Sequence, residues 1–376
     1  MDVNQPLQLL GGLSPKTFMQ RHWQKKPLLI RNAVSDFSPL LDRSALFALA
    51  AREDVESRLV SRQKRRGSEG WNLRQGPLRR RALPPLRQPG WTLLVQGVDL
   101  HVDAVHALLN RFRFVPDARL DDLMVSYASD GGGVGPHFDS YDVFLLQAHG
   151  KRRWAIGRQQ DLALQADAPL KVLRNFEPTQ TFDLDPGDML YLPPRYAHDG
   201  LAIGECMTYS VGFKAVGLGE LAAELLQRLA QDAADVAGER MYRDPGQNAV
   251  DCPGALPAAL GAFSRLALQR VQQDPMALPR ALGEYLTEPK ARVWFDTNSM
   301  DRLQGAVRLD RRTRMMYDKD HVFVNGESYR ASGRDATLMR RLADARALDA
   351  GATARASTQA RLMLLDWCQA GWAHGQ

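Results

Sequence analysis

The sequence predicts a mixed α+β protein: a jelly roll of short β-strands, then a helical region, then a winged-helix-like module. Three observations carry this prediction. Between Trp91 and Phe213, β-rich runs recur with Gly or Pro between them, the pattern of an all-β sandwich or barrel. From Leu218 to Lys290, apolar residues recur at helical spacing. Beyond that, a small ribbon around Asn325-Gly326 lies between helical runs. At 376 residues, 44% apolar and 24% charged, the chain is too long for one ordinary core and too apolar for disorder. The expected divisions are 1–215, 216–290 and 291–376.

In chain order, Thr17 to Lys26 (TFMQRHWQKK) predicts a helix stopped by Pro27. Leu28-Leu29-Ile30 is a short strand, and Ser44 to Arg52 a helix with Leu46 and Leu49 on one side. The strand series then reads Trp91–Gln96, Leu123–Tyr127, Val143–Gln147, Arg152–Ile156, Thr181–Leu184, Met189–Leu192 and Met207–Phe213, with a turn at His149-Gly150. Leu218, Leu221, Leu225 and Leu229 form one helical stripe, and Leu260, Phe263, Ala267 and Val271 another; both read as ordinary core faces. In the last segment, helices are expected over Met300–Val307, Ala336–Leu348 and Ser357–Trp367. Strands Met315–Tyr317 and His321–Val324 flank a polar turn between the first two of those helices.

Composition narrows the function classes. No run approaches the ~18–20 apolar residues of a membrane span, and Met1 to Pro6 lacks the basic head and apolar core of a signal peptide. The three cysteines, Cys206, Cys252 and Cys368, are far apart with no CxxC. A disulfide framework and a thiolate zinc site are therefore disfavoured, and a reducing cytoplasm fits. The net charge of +6 matters only where it is clustered. Arg62, Lys64, Arg65, Arg66, Arg74, Arg79, Arg80, Arg81 and Arg87 are interleaved with Gly and Pro, and Glu69 is the only acid among them. Each residue alone reads as solvated loop or hairpin; as a cluster they are expected to be a docking surface for something anionic.

The chemistry-bearing segment is Gly131-Gly132-Gly133-Val134-Gly135-Pro136-His137-Phe138-Asp139. No Lys-Ser/Thr follows, so it is not a phosphate loop. On an extended chain, positions i and i+2 share a face, so His137 and Asp139 can reach one ion. His198 is the third ligand candidate, carried behind the stiff Pro193-Pro194 pair. Two His and one carboxylate on one face of a metal form the facial triad of non-haem Fe(II) oxygenases. The competing reading is a loop His and a turn-forming Asp. The other histidines, His22, His101, His106, His149, His321 and His374, sit in ordinary contexts. Alternation puts Arg152, Trp154 and Ile156 on one face and Lys151, Arg153 and Ala155 on the other. An Arg on an apolar face calls for a carboxylate, which 2-oxoglutarate can supply. Ser126, on an earlier strand, offers a hydroxyl to the same site.

Three segments, RHWQKKPLLIRNA, GGGVGPHFDSYDVFLLQAHGKRRW and PGDMLYLPPRYAHDG, closely resemble the bacterial JmjC-domain ribosomal oxygenases, above all their ribosomal-protein arginine hydroxylases. The resemblance is strong from about Phe18 to Ala215 and looser beyond. It implies a double-stranded β-helix of the cupin/JmjC type, a helical dimerisation region and a C-terminal winged helix. It further implies that His137, Asp139 and His198 bind Fe(II) and that Arg152, with Ser126 nearby, pairs with 2-oxoglutarate. Two metal positions would then go to that co-substrate and one to O₂, and an arginine of a large-subunit ribosomal protein would be hydroxylated. A guanidinium substrate favours carboxylates and hydroxyls at the mouth, for which Asp130, Tyr141 and Asp142 are candidates. For such an enzyme the expected partner of the basic segment Arg62 to Arg87 is ribosomal RNA or an acidic region of the substrate protein.

Two rivals remain at this level. One keeps the chemistry but hydroxylates a histidine of another ribosomal protein. The other is a non-catalytic, nucleic-acid-binding winged-helix protein, against which the ribbon's mixed charge (Arg330 and Arg334 beside Asp318, Asp320 and Glu327) speaks.

Overall fold

A computed structural model describes residues 2–65 and 68–375, leaving aside the side chains of 63–65, 68 and 69. Of the basic segment, Arg66 and the side chains of Lys64, Arg65 and Glu69 therefore lie outside the described residues. The chain divides into two compact units, Met1–Ala215 and Val216–Gln376.

The first unit opens with helix α1 (Pro15–Arg21), capped by Ser14, whose hydroxyl accepts from Thr17 N at 3.2 Å. It starts earlier and stops earlier than Thr17–Lys26, because the chain turns at Gln24 in the left-handed region (φ 57°) before Pro27 arrives. Strand β1 (Leu28–Ile30) and helix α2 (Arg43–Ala50) follow as expected. The first part of the basic segment takes the hairpin form expected of it, and the part after Gln75 is mostly loop. Strands β2 (Ser57–Arg65) and β3 (Ser68–Gln75) pair antiparallel across it. Then come β4 (Trp91–Val95), α3 (Asp103–Asn110), β5 (Leu120–Ala128), β6 (Val143–Gly157), β7 (Gln180–Leu184), β8 (Met189–Leu192) and β9 (Ala197–Phe213). These strands form one antiparallel sheet in the order β1-β8-β6-β9-β5-β4-β2-β3, with β7 also on β6.

Two of the expected strands are thus one. The runs Val143–Gln147 and Arg152–Ile156 belong to a single β6, and His149-Gly150 is a bulge in it, with Gly150 at φ 62°. The bulge has a consequence for the site. Before it, odd residues Val143 and Leu145 pack in one cluster and even residues Phe144 and Leu146 in another. After it, the even residues Trp154 and Ile156 join Val143 and Leu145. One extra residue reverses which parity faces inward, and so turns Arg152 to the interior. The second cluster is a large aromatic core in which Phe18, Trp91, Tyr127, Phe144, Tyr191, Tyr209 and Phe213 are fully enclosed.

The second unit begins with α4 (Leu218–Gln231), α5 (Ala233–Ala237), α6 (Ala258–Gln273) and α7 (Ala277–Thr287). Both apolar stripes are helical as predicted, but neither α4 nor α6 has a buried residue, so they are not core faces of this chain. Next are β10 (Val307–Leu309), β11 (Met315–Tyr317), β12 (His321–Val324) and β13 (Glu327–Arg330), then α8 (Gly333–Ala345), β14 (Ala347–Leu348), α9 (Ala350–Ala354), α10 (Thr358–Gln369) and β15 (Ala373–Gly375). The helix expected over Met300–Val307 is absent; Gly305 takes a left-handed turn (φ 75°) and the chain enters β10. β11, β12 and β13 form the predicted ribbon, turning at Asn325-Gly326. No helix among the described residues is long and apolar enough to cross a membrane.

Candidate metal centre and cofactor pocket

The glycine-rich segment, with left-handed turns at Gly131 (φ 65°) and Gly135 (φ 83°), runs beside the first part of β9. Gly131 N donates to Ala202 O (3.0 Å) and Ala202 N to Gly132 O (2.9 Å). His137 and His198 then exchange backbone hydrogen bonds of 3.0 and 2.8 Å as an isolated bridge. The glycines are needed for this close approach. A Cβ at Gly133 would stand 2.6 Å from Gly200 O, and one at Gly135 (φ 83°) 2.7 Å from the Trp71 ring. Asp139 is fixed from the other side, its carbonyl accepting from Arg195 N at 2.7 Å.

This pairing brings together three groups 59 or more residues apart in two cases. Ligating atoms of His137, Asp139 and His198 all lie within 4.8 Å of one another. His198 Nε2 and Asp139 Oδ2 are 3.7 Å apart, inside the ~4.3 Å that two donors each ~2.0–2.2 Å from one ion can span. Each imidazole is oriented through its other nitrogen: His137 Nδ1 lies 2.8 Å from Gly135 O and His198 Nδ1 3.0 Å from Tyr196 O. A carbonyl there fixes the tautomer with the proton on Nδ1 and leaves Nε2 as the donor. Burial, and then the neighbouring His137, push the His198 imidazole down to about 4, which holds it in the neutral form that ligates. The residues present fit a divalent ion with nitrogen and oxygen donors.

Arg152 lies on the interior face of β6 and is 4% exposed. Its Nη1 donates to Ser126 Oγ and Thr208 Oγ1, both at 3.1 Å, and Thr208 in turn donates to Gln147 Oε1 at 2.9 Å. Its guanidinium stands 5.2 Å from the centre of the Trp154 ring, which lies 5.7 Å from that of His198. No carboxylate among the described residues forms an ion pair with it, and its buried Nε has no partner. A buried cation that is matched only by hydroxyls is costly unless a ligand completes it. Arg152 therefore fits a small carboxylate on the Trp154 side of the candidate metal centre. The alternate face behaves as surface: Lys151 pairs with Asp185 at 3.2 Å and Arg153 with Asp183 at 2.7 Å.

The three mouth candidates separate. Tyr141 is 38% exposed, and burial of its hydroxyl end and the nearby Asp139 carboxylate push its pKa up. Asp130 is exposed, with Oδ1 accepting from Gly204 N at 2.8 Å. Asp142 does not belong with them. It is 0% exposed, accepting from Tyr191 Oη (2.6 Å) and Gln24 Nε2 (3.1 Å), with Arg119 at 3.5 Å. It ties the N-terminal segment to the sheet, away from any mouth.

Four residues escaped sequence reading. Thr208 and Gln147 complete the hydroxyl and amide network behind Arg152. Trp71, on the basic hairpin, walls the glycine segment. Asp199 has a buried oxygen without a partner, and its pKa is raised by burial against the attraction of Arg62, His137 and Arg152. Gln147 and Thr208, cross-strand partners on β6 and β9, each gave a signal, a polar residue in an apolar run; Trp71 and Asp199 gave none.

The comparisons agree with this geometry. The JmjC domain family matches residues 107–221, and the ROXA-like winged helix family residues 270–374. The ribosomal protein uL16 3-hydroxylase of Escherichia coli (strain K12) is 36% identical over 258 residues, covering 68% of this chain and 67% of that protein. A probable ribosomal oxygenase of Haemophilus influenzae is 37% identical over 213 residues, covering 56% of this chain and 52% of the other. Among solved structures, the Escherichia coli ribosomal oxygenase YcfD in complex with cobalt and 2-oxoglutarate has a TM-score of 0.79 at 30% identity, over 96% of this chain and 98% of that one. The α+β architecture, the winged helix and the resemblance seen in the motifs are thereby borne out, and the chain belongs to the JmjC-domain ribosomal oxygenase family.

Proposed function

We propose that this enzyme hydroxylates an arginine side chain of ribosomal protein uL16, using Fe(II) held by His137, Asp139 and His198 and 2-oxoglutarate held at Arg152 and Ser126. The observation that carries the reading is the convergence of three ligating groups within 4.8 Å, together with a buried arginine that has no ion pair among the described residues. The name of the Escherichia coli relative supports the protein substrate. When bound, iron, 2-oxoglutarate and O₂ supply the oxidation: one oxygen atom enters a substrate C–H bond, the other enters succinate, and CO₂ leaves.

The chain's own residues have narrower tasks. Gly135 O and Tyr196 O hold the two imidazoles in their donor orientation. Arg152 fixes the distal carboxylate of the co-substrate by a charge-assisted hydrogen bond, and Ser126 and Thr208 keep the guanidinium from swinging away. Trp154 fills the space between that site and His198 and excludes water there. At the mouth, Asp130 and the Tyr141 hydroxyl receive the substrate guanidinium, positioning the carbon to be oxidised. Asp142 has no part in this.

The test is a hydroxylation assay on ribosomal-protein fragments, read by mass spectrometry. A uL16 fragment is expected to gain one oxygen atom on an arginine. Gain on a histidine of another ribosomal protein, with the uL16 fragment unmodified, would replace this reading by its enzymatic rival. The comparisons do not favour the non-catalytic alternative.

The enzyme also works, in this proposal, as a homodimer through its helical region. Leu218 and Leu226 of α4 are 87% and 64% exposed and Leu268 of α6 is 67% exposed, an apolar surface that wants a cover. Light scattering is expected to give twice the chain mass; a chain-mass particle at micromolar concentration removes the dimer.

A further inference from the structure

We propose that the arginine-rich edge of the first unit binds RNA through its phosphate backbone, so that the enzyme engages its substrate in the company of RNA. The choice of RNA rests on the reading that the substrate is a ribosomal protein; the surface itself does not.

The first support is segregation of charge. Residues 62–87 hold nine cations and one acid, a net of +8, while the whole chain carries +6. The other residues thus sum to −2, and the entire basic excess resides in one short segment. Eight of the nine cations are Arg, the residue whose planar fork meets phosphate oxygens in pairs and stacks on bases.

The second support is that the fold gathers them. β3 is the last strand of the sheet. Arg74 Nη1 donates to Ala82 O at 2.8 Å, which draws that side chain onto the turn that bears Arg79, Arg80 and Arg81. Gly90, three residues after Arg87, accepts from Arg62 N at 3.0 Å. Leu78, a member of the aromatic core cluster, donates from its N to Ala50 O at 2.7 Å, so the turn is anchored to the body of the unit. Arg62, Arg74, Arg79, Arg80, Arg81 and Arg87 are all exposed.

The third support is the lack of neutralisation. Four other surface arginines of this unit have acids at hand, Arg31 with Asp188, Arg43 with Glu205, Arg52 with Asp54 and Arg153 with Asp183, while exposed Arg21, Arg111 and Arg195 are scattered singly. Among the described residues, Arg74, Arg79, Arg81 and Arg87 have no ion pair. The plain alternative is that charge guards a sheet edge against other strands. One or two cations on β3 would serve that end, yet Arg79, Arg80, Arg81 and Arg87 lie beyond the strand. An acidic protein would be met as well by lysines, which this segment barely uses.

The test is binding of the full-length protein to a labelled RNA hairpin, followed by fluorescence anisotropy across a salt series. Each phosphate neutralised contributes a log–log salt slope of roughly 0.7–0.9. The triple variant R79E/R81E/R87E should lose affinity on the order of 10–100-fold at low salt and reduce the slope by about 2–3. R79Q/R81Q/R87Q should fall between it and the unaltered protein, and answers the question if the first variant does not fold. Turnover on a short uL16 fragment should be unchanged in both, since none of the three residues touches the pocket. The proposal is overturned by a flat salt dependence, by variants that bind RNA as the parent does, or by poly-glutamate binding as tightly as RNA. Because RNA binding is read without turnover, its failure and that of the hydroxylase reading are distinguishable.

Discussion

His137→Ala is expected to lower the release of succinate from 2-oxoglutarate by more than ~100-fold. That floor follows because even outer partners that only orient a metal ligand typically cost ~10–100-fold when removed, and His137 is itself a ligand in the proposed site. The same substitution should leave the fold nearly intact. His137 is half-buried, lies in an extended segment outside the named strands, and is tied to His198 by backbone hydrogen bonds that alanine retains. The loss in stability should be about 1 kcal/mol, that of the hydrogen bond between Nδ1 and Gly135 O. His198 would be a poorer choice, because it is 3% exposed and packs on Trp154, so its loss mixes ligation with a cavity. Titration with Co(II), followed by its visible absorption, reads the metal directly. Near-parental turnover, or an unchanged Co(II) spectrum, would show that the iron is held elsewhere.

The site was legible in sequence because its donors are few in kind and their spacing has physical content. His137 and Asp139 needed only an extended chain, and the backbone there is extended. His198 was found although its strand was not. The first half of β9, AHDGLAIGEC, has no clean alternation and contains Gly200 and Gly204. Gly200 is there because a Cβ would sit 2.6 Å from the Trp154 ring, so packing against a distant residue overrode local strand preference. Arg152 was placed correctly by counting within Arg152–Ile156. Counting from Val143 would have put it on the wrong face, since the bulge at His149-Gly150 reverses the phase. Asp142 was misread for the opposite reason. Beside Tyr141 it looks like a turn at the mouth, and its partners Gln24 and Tyr191 are 118 and 49 residues away. The helical stripes show a further limit: periodicity found the helices but not what covers them.

Arg152→Met should weaken 2-oxoglutarate binding by ~10–150-fold, the range for a charged hydrogen bond worth ~1.5–3 kcal/mol. The argument turns on what the arginine lacks. In most buried ion pairs the removal of one partner strands the other and destabilises the fold. Here Arg152 is 4% exposed, its guanidinium donates to the Ser126 and Thr208 hydroxyls and stands 5.2 Å from the Trp154 ring, and no carboxylate among the described residues is within ion-pair distance. Methionine of similar length strands no carboxylate, and each hydroxyl retains a bond within the protein: Ser126 Oγ donates to Thr208 O and Thr208 Oγ1 to Gln147 Oε1. The variant without co-substrate should therefore be as stable as the parent or more so. Thermal unfolding with and without 2-oxoglutarate separates the two effects. The parent should be stabilised as ligand rises above its Kd, by ~2.7 kcal/mol at a hundredfold excess, while the variant at the same concentration should gain far less. Arg152→Lys keeps the charge but loses the fork, so it should restore only part of the affinity. If Arg152→Met were instead strongly destabilised and bound 2-oxoglutarate normally, the arginine would be a structural cation and the co-substrate pocket would have to be sought on another face of the sheet.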